Sequence, residues 1–303
     1  PHQLSALSLL KIGPLRLWRA IVKSRLGGQS VANAIPHPQI ADAFCLGIVN
    51  DVAANVDADF LVPSLTKFGT GPTLSKWRLR RKIKASYPLF VPKRGSIASL
   101  EGGMQMLVQT LAEKLNETNN VTVRLNVEAK DVATVAKQND VPPSAVIWSA
   151  PGHLEKEHAT ELSIFAIGFH RDQVSHLPLG YGTLIPDSTL PISGVLNESD
   201  IHHSRRCPEN HRLFRLMVPH DRWDGAEESV LSCAEQLIAP NPVMFSMVGT
   251  RQIPRFPPGY MSKMSKAMSE ASLDHTYVGW GATGVAITHV VAEAERLADC
   301  FDN

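Results

Sequence analysis

His275-Thr276-Tyr277-Val278-Gly279-Trp280-Gly281-Ala282-Thr283-Gly284, followed by Val285 to Cys300, is the stretch on which the reading of the fold turns. The β-branched and aromatic run Thr276 to Val278 predicts a short strand. Gly279, Gly281 and Gly284 predict a tight turn. Val285, Ile287, Val290, Val291, Ala294, Leu297 and Ala298 then repeat at helical spacing, with Glu293, Glu295 and Arg296 on the wet side. Such a strand, turn and helix N-terminus offers unpaired amides and a positive dipole end to an anionic or electron-rich ligand edge. It serves equally as a close strand-to-helix crossover with no ligand, and both readings stand at this point. The glycines spell GxGxxG, but a dinucleotide fingerprint needs a second strand and an acidic residue about 20 positions on. Asn303 comes before either, so that reading is set aside.

Outward from this stretch, 303 residues suffice for two domains or one large one. A hydrophobic share of 44% with 19% charged residues describes a globular protein with a substantial core. A net charge of +1 implies no general affinity for nucleic acid. No apolar run reaches the length of a transmembrane helix. Cys45, Cys207, Cys233 and Cys300 lie far apart with no CxxC pair, which argues against a zinc site or disulfide framework and for a reducing compartment. Sequons at Asn116, Asn120 and Asn197 are close to what composition alone supplies. The sequence opens on Pro1, which leads us to expect a processed chain or a piece of a longer one.

Residues 1–41 contain no acidic side chain, and Leu4, Leu7, Leu10, Leu15, Trp18, Ile21 and Val22 alternate with Lys11, Arg16, Arg19, Lys23 and Arg25. This reads as a basic amphipathic helix pair, either the solvated face of a core helix or a surface for anionic membrane, and it also has the character of a transit peptide. Lys76 to Lys84 is a second basic run around Trp77, either a polybasic loop or a lipid-headgroup anchor. Helices are predicted over 39–50, from Ser99 to about Leu115, over 227–238, over 261–272 and from Val285. Strands are predicted over 121–125, 145–149, 163–170, 193–196, 212–218 and 276–278. Gly180 to Pro186 reads as a flexible turn carrying Tyr181 and Leu184, and Ile253 to Tyr260 as a rigid connector. The twelve histidines include none at HxxxH or HExxH spacing, so no metal site is expected. A GxSxG elbow and a Walker motif are also absent.

Taken together these segments resemble the protoporphyrinogen oxidases of the amine-oxidase-like FAD-dependent superfamily, in particular the eukaryotic mitochondrial type. The resemblance rests on Ser99-Leu100-Glu101-Gly102-Gly103-Met104, on Val127 after the next strand, and on Ala150-Pro151 at a strand end. It continues through Gly180 to Pro186, Met217, the connector Ile253, Pro254, Phe256 and Gly259, and the turn at Gly279, Gly284, Val285, Ala286 and Ile287. The order of these motifs over residues 95–303 carries the likeness; residues 1–94 match loosely.

The resemblance implies a mixed α/β (α+β) fold: an incomplete FAD-binding Rossmann-like domain, a β-sheet substrate domain and a helical membrane-facing segment. Its parts would be residues 1–94 (helical, basic), 95–155 (FAD), 156–252 (substrate) and 253–303 (FAD). FAD would touch Val127, Ala150, Pro151, Gly279, Gly284, Val285, Ala286 and Ile287. The porphyrinogen would lie against Tyr181, Gly182, Leu184 and Met217. The implied reaction is oxidation of protoporphyrinogen IX to protoporphyrin IX with O2 as acceptor, in haem biosynthesis, by a fragment or degenerate copy of the enzyme. The implied place is the mitochondrial inner membrane, held peripherally, with a homodimer as a possible state. Relatives open on a strand-GxGxxG-helix unit and carry an early arginine for a substrate propionate, and this sequence matches neither. No catalytic acid or base is marked. Two alternatives remain: a non-catalytic remnant that binds porphyrin or a partner, and another amine-oxidase-like flavoenzyme.

Overall fold

The computed structural model describes residues 27–35, 37–63, 66, 81, 100, 102–149, 158–202, 206–270 and 276–301. The basic segments 4–25 and 76–84 (apart from Arg81), Ser99, Glu101, Ala150, Pro151 and His275 lie outside the described residues. In chain order the elements are α1 (Val31–Ala34), α2 (Pro38–Val49), α3 (Ala58–Leu61), α4 (Gln105–Glu117), α5 (Val132–Gln138), β1 (Ile147–Trp148), β2 (Ala159–His170), β3 (Gly182–Leu184) and β4 (Gly194–Leu196). They continue as α6 (Glu198–Ile201), β5 (His211–Pro219), α7 (Glu227–Leu237), β6 (Met244–Pro254), α8 (Tyr260–Glu270), β7 (Thr276–Tyr277), α9 (Trp280–Thr283) and α10 (Ile287–Phe301).

A five-stranded antiparallel sheet in the order β3-β4-β5-β2-β6 dominates the middle of the chain. Successive side chains alternate between its faces. Phe165, Ile167 and Phe169 of β2 and Phe214, Leu216 and Val218 of β5 therefore point to one side, where α7 covers them with Val230, Cys233 and Ala234. Arg212, on that same side and 2% exposed, donates to Asp200 Oδ2 at 2.6 Å and to the carbonyls of Val174 and Leu177 at 3.0 and 3.1 Å. A buried guanidinium is tolerable only when its donors are taken up in this way.

A second core joins the start and end of the chain. Val31, Ala41, Cys45, Val49, Val56 and Phe60 pack with Phe256, Tyr260 and Met261. Phe256 stacks on Tyr260 at 4.0 Å and meets Phe60 edge-on at 4.6 Å. Asp57 pins this core: its Oδ1 accepts the Asp59 N–H at 2.8 Å and its Oδ2 accepts the Met261 N–H at 3.0 Å, in the first turn of α8. The third assembly is small, a parallel pair of β1 with β7 registering Ile147 with Thr276 and Trp148 with Tyr277.

The residues around that pair depart from the sequence reading. The predicted strand 121–125 forms no strand, although Val121, Val123 and Leu125 alternate as a strand should. It runs as irregular chain with those side chains 39%, 43% and 79% exposed. The predicted helix from Ser99 begins at Gln105 and buries none of its residues; Met104, Val108, Leu111 and Leu115 all stay exposed. Parallel strands are ordinarily buried on both faces, and two strands are too few to stand alone in water. Among the described residues, the stretch 102–148 thus carries the patterns of a layered domain without the neighbours those patterns fit. The connector predicted from Ile253 also begins differently, because Ile253 and Pro254 finish β6. No described helix is long and apolar enough to cross a membrane.

Candidate ligand-binding face

The side of the five-stranded sheet away from α7 is the candidate site. Paired residues of neighbouring strands lie on one face, so the register lays out rows across it. One row runs Leu184, Gly194, Met217, Ile164, Gly249 through β3, β4, β5, β2 and β6. The next runs Gly182, Leu196, Arg215, Ala166, Ser246. Gly194, Gly249, Gly182, Ala166 and Ser246 are small; Leu184 and Met217 close over Gly194, and Arg251 Nη1 reaches over Gly249. Leu184, Met217, Ile164 and Leu196 give the face an apolar character. α2 roofs one end, where the Cβ that Gly47 lacks would touch Leu184 Cδ1 at 3.4 Å and the Val49 carbonyl accepts the Thr160 hydroxyl at 3.1 Å. The other end is bounded by α6, whose Ser199 hydroxyl accepts the Leu213 N–H at 3.0 Å.

Of the four residues that the resemblance assigned to the porphyrinogen, Gly182, Leu184 and Met217 lie in the rows of this face. Leu184 and Met217 share the first row across Gly194, and Gly182 stands in the second. Tyr181 directly precedes β3, is 53% exposed, and its carbonyl accepts the Asn197 N–H at 2.9 Å. Gly182 has φ +153, and a Cβ there would fall 2.2 Å from the Val195 carbonyl oxygen, so no other residue fits without moving β3 off β4. Within Gly180 to Pro186, expected to be a flexible turn, Gly182–Leu184 is instead an edge strand.

The sequence reading missed Arg215, Ile164 and Gly194 on this face. Period-two alternation around Met217 was the available signal for Arg215. Arg215 pairs with the Glu198 carboxylate, which also lies 3.4 Å from His202 Nε2.

The terminal glycine stretch behaves otherwise than expected. In place of a tight turn it forms the four-residue helix α9 with Gly279 as N-cap. Gly284 is buried at φ +93, where a Cβ would stand 3.1 Å from the Phe60 carbonyl oxygen and 3.2 Å from Pro63 Cγ. Its N–H donates to the Trp280 carbonyl at 3.0 Å, and the Val285 N–H donates to the Phe60 carbonyl at 3.0 Å. The amides predicted to be unpaired at Gly284 and Val285 are thus used inside the protein, and the close-crossover reading accounts for both. Val285 packs on the second core, while Ile287 opens α10 at 57% exposure. Val127 stands away on the exposed run, 61% accessible.

A hydrogen-bonded chain of another kind needs weighing. Ser163 Oγ lies 2.9 Å from His220 Nε2, and His220 Nδ1 lies 3.4 Å from Glu161 Oε2. An activated serine needs an open approach and nearby oxyanion donors. Ser163 is 1% exposed within a strand paired on both sides, to Val218 and Thr250, so these groups fasten β2 to the turn after β5. Among the described residues no three His, Cys, Asp or Glu side chains gather as a metal site would require.

No family model matches the sequence, and no curated protein matches it. Solved structures do. The crystal structure of a candidate protoporphyrinogen oxidase from Exiguobacterium sp. 255-15 superposes with a TM-score of 0.53 at 14% identity, covering 95% of this chain and 71% of that one. Reduced UDP-galactopyranose mutase gives a TM-score of 0.48 at 15% identity over 88% and 67% of the two chains, too slight a likeness to argue from. The first match shows a shared fold, a mixed α/β arrangement with an antiparallel sheet, and at 14% identity it shows nothing finer.

Proposed function

We propose that this chain contributes the substrate-binding half of an FAD-dependent oxidase acting on protoporphyrinogen IX, with O2 as the final acceptor. The observation that carries the reading is the row of small and apolar residues Leu184, Gly194, Met217, Ile164 and Gly249 on the side of the sheet away from the core under α7. A broad, flat, largely apolar macrocycle is the shape such a face accepts, since binding sites for bulky apolar ligands are concave and sparsely polar. The fold likeness supports the same direction. Removing hydrogen from carbon needs a hydride acceptor that no side chain provides, and a flavin supplies it.

The described residues fit the cofactor only in part. Val285, Ala286 and Ile287 offer an apolar edge at the start of α10. The Gly284 and Val285 amides are committed to Trp280 and Phe60, so neither is free for a phosphate. The apolar surface of α4 and of residues 121–127 fits a missing layer of the same domain. In this reading the diphosphate is held by a separate strand–glycine turn–helix unit, and these 303 residues alone bind FAD weakly. A peripheral place at the mitochondrial inner membrane belongs to the same proposal and rests on the resemblance and the basic segments.

The test combines two titrations on the purified chain. Protoporphyrin IX fluorescence should change saturably on binding, whereas FAD fluorescence should change little and protoporphyrinogen turnover should be negligible. Adding a polypeptide that supplies the glycine-turn unit should restore flavin binding and turnover together. Absence of saturable porphyrin binding would remove the substrate reading. A yellow chain holding about one flavin per molecule and turning over unaided would remove the claim that it is incomplete. The committed turn amides favour a second reading, a porphyrin-binding chain with no redox role. That reading survives if porphyrin binds but the added unit restores nothing.

A further inference from the structure

Arg212 and Arg215 stand three residues apart on β5 and point to opposite faces of the sheet. Arg212 is saturated by Asp200 and by backbone carbonyls, as a purely structural arginine should be. Arg215 is different. Its side chain is 40% exposed, it rises from the ligand face between Ala166 and Leu196, and its partner Glu198 is nearly buried at 7%. It sits two residues before Met217, which at the rise of a strand is about 7 Å away on the same face. Arg251 of β6 is a second cation on this face, but its Nη1 turns back to the Thr250 carbonyl at 2.8 Å. Glu198 holds Arg215 from the α6 side, and a guanidinium carries five donors, more than one carboxylate takes up.

Resting on the porphyrinogen reading, we propose that Arg215 is the specificity residue of this face, the anchor for a carboxylate of the macrocycle. Glu198 would orient the guanidinium from behind, with His202 as its own neighbour. The ligand class is accordingly a flat apolar ring system bearing short acid side chains, with the rings on Leu184, Met217 and Ile164 and one carboxylate over the Arg215–Ala166–Leu196 row. Arginine suits this task because its planar fork matches a carboxylate in two parallel hydrogen bonds.

The experiment compares protoporphyrin IX with its dimethyl ester, which has the same ring system without the charge, by fluorescence titration in low salt. The wild-type chain should bind the acid about tenfold or more tightly than the ester, the size expected of one charge-assisted contact. Arg215→Gln should abolish that preference and leave ester affinity unchanged. Glu198→Gln, which removes the resident carboxylate from the guanidinium, should widen the preference, and it decides the matter if Arg215→Gln does not fold. Equal preference in wild type and Arg215→Gln, or no change in Glu198→Gln where that variant decides, overturns the anchor while leaving the porphyrin reading intact. If neither acid nor ester binds the wild-type chain, both fall.

Discussion

Asp57 should make this protein less stable as pH rises through the mildly acidic range, the reverse of what a salt-bridged aspartate does. Its side chain is 0% exposed, and Asp59 beside it is 1% exposed. Burial pushes the Asp57 carboxyl up from 3.8 to about 6; the Met261 and Asp59 amides pull it down less, and the Asp59 charge adds to the rise. In the unfolded chain the group ionises near its ordinary value. Between the two values the folded protein keeps a proton that the unfolded chain has released, so raising the pH favours unfolding. The stability this group contributes is complete below about pH 4, is lost as pH climbs through about 6, and is constant above. A shift of about two units at about 1.4 kcal/mol each amounts to about 3 kcal/mol.

The measurement is urea unfolding at a series of pH values for the wild type and for Asp57→Asn. Asparagine is neutral throughout, so subtracting its stability cancels every other titrating group. It has one oxygen where aspartate has two, so it forfeits one of the two backbone N–H contacts, a pH-independent offset of about 1–3 kcal/mol. The wild-type advantage should therefore shrink by about 3 kcal/mol between about pH 4 and about pH 7. A difference that stays flat within about 1 kcal/mol, or that grows with pH, would refute the argument that burial outweighs the two amide contacts.

Two glycines of the ligand face should separate stability from binding. Gly182→Ala places a methyl 2.2 Å from the Val195 carbonyl at a positive φ and should lower the melting temperature, with a loss of about 2 kcal/mol or more. At Gly194 the new methyl would meet Thr183, Leu184 and Met217 at 3.5–3.9 Å, ordinary contact distances, so Gly194→Ala should melt within a degree or two of wild type yet weaken porphyrin binding by filling the floor. Unchanged porphyrin affinity in Gly194→Ala would take Gly194 out of the site. The basic segments 4–25 and 76–84 should draw the chain onto anionic liposomes, with binding that falls steeply as salt is added; co-sedimentation that is absent, or indifferent to salt, contradicts a membrane role.

Much of the central sheet could be read from sequence because its strands alternate cleanly. Phe165, Ile167 and Phe169, like Phe214, Leu216 and Val218, announce one buried face, and the strands lie close to where that pattern puts them. β6 was missed because it is an edge strand with little alternation of its own. Most of it is exposed, and a bulge shifts its register opposite Ile164 and Phe165. It is a strand because Ala159 to Gly168 offer it a ladder, which is a property of the partner and not of residues 244–254. α5 was missed for a smaller reason: its apolar stripe is short, and the one local signal was Asp131 capping the Thr134 N–H at 2.7 Å.

The failures near the two-stranded sheet point the other way and say more about function. Val121, Val123 and Leu125 have the right period for a strand, and Met104, Leu107, Leu111 and Leu115 the right period for a packed helix, yet the structure buries none of them. A periodic pattern records the face a segment is meant to cover, and it becomes a strand or a buried helix only when a neighbour is present to be covered. On the ligand face the same logic runs in reverse. There Gly194 and Gly249 let larger neighbours close in, Leu184 and Met217 over Gly194 and Arg251 over Gly249. Small residues across neighbouring strands, beside Leu184, Met217 and Ile164 and with Arg215 and Arg251 on the same face, are the ground on which we propose a flat ligand there and not another layer of protein. The exposed stripe of α4 is what a sequence builds when the missing partner is more polypeptide. That difference, between small residues among packed neighbours and large exposed ones at helical or strand period, is the physical ground for our proposal that the macrocycle lies on the sheet and that residues 102–148 belong to a flavin layer.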